Sequence, residues 1–146
     1  MSQLEREQDR INRERDRIIS LINSNQRQLN DVRAEIRTLE DEERRIKDAQ
    51  AALDMARVNA RGDIDALNKL DCEDTNKWRG EQQSRAVNDF SNSVAAADLV
   101  TKRLEAASRD LERELDRVSN MLMLRRETET SLVNRIRELE IRLNSL

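Results

Sequence analysis

The chain has 146 residues, 39% of them charged, with 27 basic against 30 acidic side chains and a formal net charge of −3. It contains no Pro, His or Tyr, one Trp, one Phe, one Cys and two Gly, so it lacks the aromatic bulk of an ordinary globular core of this length. Charges of both signs alternate along it, which excludes a basic face for nucleic acid and an acidic tail.

The first residues, Met-Ser-Gln-Leu-Glu-Arg-Glu-Gln-Asp-Arg, contain no apolar stretch that could serve as a secretory leader, and nowhere do eighteen apolar residues run together. The expectation is a cytoplasmic protein without membrane insertion, exported only through a leaderless route. From there, Leu4, Ile11, Ile18, Asn25, Val32, Leu39, Ile46, Leu53, Ala60 and Leu67 follow one another at seven-residue intervals. Such a repeat places one seam along one side of an α-helix, and only another helix can cover a seam that long. Helix one is predicted from about residue 3 to about 71; Gly62 is its single weak point, at a cost of about 1 kcal/mol.

The turn is predicted over about 72–80, where Asp74, Thr75 and Asn76 are all good N-cap residues. Lone Cys72, near the end of helix one, excludes an intrachain disulfide and a zinc site built on cysteine pairs, and reads as a small apolar residue. Helix two is predicted over about 81–145, on the series Phe90, Ala97, Leu104, Leu111, Val118, Arg125, Leu132, Leu139 and Leu146. The fold class is therefore all-α, a single domain over 1–146 in which two long antiparallel helices form a coiled-coil hairpin, a rod.

With a fold point near residue 75 to 77, residue i should face about 150 to 154 minus i, which sets Asn25 opposite Arg125 to Glu129, the places where each seam turns polar. A buried polar layer costs stability and fixes register. The same alignment brings Ala49, Ala51, Ala52, Ala56 and Ala60 toward Ala95, Ala96, Ala97, Ala106 and Ala107, a close approach of small residues above the turn.

Ile19, Leu21, Met55, Leu99, Val100, Met121, Met123, Leu124, Val133 and Ile141 cannot all face one seam, because several adjoin seam residues and so point about 100° away. They either widen the seam through its flanking positions or form an exposed stripe that marks an interface with further helices. Catalysis is not expected: carboxylates such as Asp41, Glu42 and Glu43 stand on a solvated helix without a cleft, the chain has no imidazole, and no cofactor or metal is implied.

Trp78 and Gly80 are the least expected residues. A large ring can close the end of the coiled coil while Gly80 lets the backbone turn tightly, and Phe90 is placed to extend that apolar plug. Trp78, Arg79 and Gly80 between two helices of matching length, with Ala86 and Phe90 downstream, resemble the W-x-G helical hairpins of Gram-positive type VII secretion. The long arms look more like the YwqH-like small proteins encoded beside LXG toxins than like the short secreted W-x-G proteins. Secreted members carry a Tyr-x-x-x-Asp/Glu signal after the second helix; this chain has no Tyr, and Phe90 is followed four residues later by Val94.

The resemblance thus implies a non-enzymatic adaptor or targeting chaperone. It would bind the N-terminal helices of an LXG-type toxin, with a second small helical protein as a further candidate partner, and it would stay in the cytoplasm or leave through the leaderless type VII route. Trp78, Gly80 and Phe90 would form the motif end, and Ile19, Met121, Leu124 and Val133 the partner surface. Two alternatives stand beside it: a structural, self-associating coiled-coil rod or scaffold, for which a homodimer fits the pattern, and a secreted W-x-G substrate, which the missing Tyr signal disfavours.

Overall fold

The computed structural model describes residues 2–69 and 80–146. They form two helices, α1 (Gln3–Asn68) and α2 (Glu81–Asn144), packed against each other as an all-α helical hairpin. Helix α1 starts on a reciprocal cap: the Glu5 amide donates to the Ser2 hydroxyl at 3.2 Å, and the Ser2 amide donates to the Glu5 carboxylate at 3.0 Å. Gly80 precedes α2 with φ +62°, a left-handed conformation that costs glycine little, and its carbonyl accepts from the Ser84 amide at 3.2 Å. The predicted caps at 74–76, the end of helix one at 71, Cys72 and Trp78 lie outside the described residues.

The contacts gather into two units, Met1–Glu43 with Arg117–Leu146, and Arg44–Asp116. The first holds nearly all the buried side chains. Ile18, Leu29, Ile36 and Leu39 of α1 and Val118, Leu122, Leu132 and Ile136 of α2 are buried, with Val118 at 0% exposure. With Ile22, Asn25 and Val32 between those of α1, and Arg125 and Glu129 between those of α2, the positions step by four and three residues, the signature of a coiled-coil seam in which side chains enter holes of the facing helix. Leu29, Leu132 and Ile136 form one buried cluster, against which Ile22, Val32 and Val133 pack. Ion pairs flank this seam across the two helices: Glu14 with Arg142 at 3.0 Å, Arg33 with Glu129 at 3.3 Å, Glu35 with Arg125 at 2.6 Å and Glu42 with Arg117 at 3.9 Å.

These pairs correct the expected register. Their residue numbers add to values near 160, not 150 to 154, so Arg125 meets Glu35 and the level opposite Asn25 belongs to residues near Ile136. Asn25 is buried at 5% exposure, yet the polar layers of the two helices do not coincide. Arg125 and Glu129 reach sideways to partners at the rim instead. The expectation erred because it took the centre of the turn as the mirror point, whereas facing residues in this unit are related about residue 80.

In the second unit Ile46 is the only described residue that is buried. The reason is in the alternate seam positions: α1 continues Ile36 with Glu43, Gln50 and Arg57 before Ile64, and α2 places Thr101 and Ser108 on its side. Polar and small side chains there leave the helices in contact without a dry interior. Ala60 lines a cleft with Thr101 and Leu104, and Ala97 lines another with Ile64 and Leu67. Of the alanines expected above the turn, Ala56, Ala60, Ala97 and Ala107 are half-buried, while Ala49, Ala51, Ala52, Ala95, Ala96 and Ala106 are exposed.

Candidate partner-binding surface

Each helix turns about 100° per residue, so a residue next to a buried seam position points out. Leu122 is buried, and Met123 and Leu124, the next two residues, are 54% and 57% exposed. Ile19, one step beyond buried Ile18, is 40% exposed, and Ile141 of α2 is 62% exposed. By the register of this unit, Ile19 and Ile141 stand at the same level along the helix pair, near the Glu14–Arg142 ion pair. Met123, Leu124, Ile19 and Ile141 are thus large apolar side chains held in water on the helix surface of this unit.

The residues singled out in the sequence separate into groups. Leu124 and Ile19 face outward. Met121 and Val133 instead widen the seam: Val133 packs on the Leu29–Leu132–Ile136 cluster, and Met121 lines a cleft with Ala34, Thr38 and Leu39 while its sulfur accepts from Arg117 at 3.1 Å. Leu21 is also half-buried. Met123 and Ile141 join Leu124 as the exposed large apolar residues of α2 in this unit, and Leu146 beyond the end of α2 is exposed as well. The single stripe expected from the leftover apolar residues thus divides into separate patches, because the seam takes its own flanking positions.

Phe90 is half-buried in the second unit, in an open cleft with Ile64, Leu67, Val94 and Ala97. Gly80 is exposed, and Trp78 lies outside the described residues. Outward positions of this unit also carry Met55, Val58, Leu99 and Val100, all between 48% and 69% exposed. Val58 is absent from the leftover apolar residues of the sequence; its place three residues after Met55, on the same helix face, is the signal that finds it.

Among the described residues no group of three or more Cys, Asp or Glu is arranged to hold a metal ion, and no helix is long and apolar enough to cross a membrane. The clefts are grooves of the helix pair, lined by apolar side chains and the stems of charged ones. What the surface can do is bind through apolar contact with a charged rim, in the manner of helix-on-helix recognition. No protein-family model, curated protein or solved structure matches the chain.

Proposed function

We propose that the chain is a non-enzymatic accessory protein of type VII secretion, an adaptor or targeting chaperone for the helical N-terminal region of an LXG-type toxin. The observation that carries this reading is the exposed pair Met123–Leu124, beside a seam already filled by Val118, Leu122 and Leu132. Apolar side chains that the protein's own fold leaves unused are suited to receive the apolar face of a further helix. The Trp78–Arg79–Gly80 sequence supplies the link to secretion, and the missing Tyr signal assigns export recognition to the partner. In this reading the toxin's helices lie on the first unit and the motif end is presented to the export machinery.

Replacing Trp78 with Ala in the native cell tests it. Loss of toxin export with helical content unchanged is the expected result; unchanged export removes the secretion role. The competing reading, a self-associating coiled coil, is favoured by a different feature, the uncharged outward face of α1 in the second unit.

A further inference from the structure

Charged residues make up 39% of the chain, yet one outward face of α1 in the second unit has none across three turns. Counting heptad positions from the seam residues Leu53, Ala60 and Leu67, the outermost positions between Ala51 and Gly62 are Ala51, Ala52, Met55, Val58, Asn59 and Gly62. All are exposed, Met55 at 69% and Val58 at 66%. Gly62 has nothing within 4 Å of the place a Cβ would occupy, and it lies inside a regular helix, so neither its backbone nor its own packing calls for glycine. A mid-helix glycine costs stability, and one use for it is close approach by another surface.

We propose that this face is the interface with a second copy of the chain, formed by α1 against α1 in antiparallel, two-fold symmetric contact centred between Val58 and Asn59. The face is self-complementary, as a two-fold interface requires. With the centre there, Met55 lies over the partner's Gly62, a long flexible side chain over the one place without a side chain. Val58 meets the partner's Val58, and Ala52 meets the partner's Ala66. The flanking charges agree. Asp54 comes opposite the partner's Arg61, and Asp48 opposite the partner's Lys69, each twice by symmetry.

The charges also select the register. Sliding the contact by one heptad toward the N-terminus sets Asp54 against the partner's Asp54 and Lys47 against the partner's Arg61. Sliding it the other way sets Arg61 against the partner's Arg61 and Met55 against the partner's Lys69. Only the central register pairs Asp54 with an opposite charge and sets no like charges together, which is how antiparallel helices commonly choose alignment. From Asp48 to Lys69 the contact runs over 22 residues, on the order of 33 Å of helix. The interface is independent of the secretion reading, because Met123 and Leu124 belong to the other unit.

The test is sedimentation of the full chain over a concentration series, with disulfide trapping. In a Cys72→Ser background, Val58→Cys is expected to form a crosslinked dimer on mild oxidation, and Met123→Cys is not. Met55→Glu and Gly62→Leu are each expected to shift the association at least tenfold toward monomer with helical content unchanged. Asp54→Arg should weaken it and Asp54→Arg with Arg61→Asp should restore it. A chain that stays monomeric at all concentrations, a dimer indifferent to Met55→Glu, or faster trapping at Met123→Cys than at Val58→Cys would overturn the proposal.

Discussion

Arg125 occupies a seam position of α2 and its Nε stands 2.6 Å from a carboxylate oxygen of Glu35 on the facing helix. The seam there is closed by a charge drawn sideways to the rim, and both side chains remain about half exposed, Arg125 at 43% and Glu35 at 52%. Exposed pairs of this kind contribute roughly 0 to 1 kcal/mol. A double-mutant cycle with Arg125→Ala and Glu35→Ala should therefore give a coupling no larger than about 1 kcal/mol in urea unfolding. Arg125→Leu, which puts an apolar side chain where the heptad calls for one, should leave stability equal or higher.

The two units should differ in how much each apolar side chain contributes. Leu29 is 3% exposed within the Leu29–Leu132–Ile136 cluster, so Leu29→Ala is expected to cost about 2 to 4 kcal/mol. Leu104, half-buried beside Ala60 and Arg57, should lose less than half of that on the same change. Hydrogen exchange measured along the chain should show stronger amide protection at 18–39 and 118–136 than at 50–67 and 90–111, and the reverse order would contradict the assignment of the core.

Asn25, at 5% exposure among Ile and Leu, should act as a register device. Asn25→Leu is expected to raise the unfolding free energy measured in urea by about 1 kcal/mol or more, while permitting alternative alignments. Cysteines at Arg33 and Glu129 in a Cys72→Ser background, joined by a short bis-maleimide that spans the gap the ion-paired side chains now fill, should crosslink cleanly in the parent and give additional products once Asn25 is Leu.

The two glycines should respond in opposite directions to alanine. Gly62 has ordinary helical backbone and open space around it, so Gly62→Ala should stabilise the monomer by about 1 kcal/mol. Gly80 holds φ +62°, so Gly80→Ala should cost about 1 to 2 kcal/mol. Thermal unfolding of the two variants at low concentration compares them directly.

The heptad series was legible in the sequence because periodicity is local: Ile18, Leu39, Val118 and Leu132 are buried where their spacing puts them. The pairing of the two helices was not. It depends on how the chain passes through the turn, and a mirror point displaced by a few residues moves Arg125 from Asn25 to Glu35. The thin core of the second unit was written in the alternate positions Glu43, Gln50 and Arg57, visible only when both seam series are followed. The outward surface was half legible. Adjacency to a seam residue correctly turned Leu124 and Met123 to solvent, but flanking positions such as Val133 went to the seam, because packing decides between them.

The most direct test of the adaptor role is recovery of the tagged full chain from its native cell, wild type beside Leu124→Glu, with bound proteins identified by mass spectrometry. The account predicts that the wild type brings down a large protein with a helical N-terminal region and a toxin-like C-terminus, and that Leu124→Glu loses it while keeping its helical content. Recovery of the chain alone under conditions that preserve weak complexes, or equal recovery with Leu124→Glu, would contradict it.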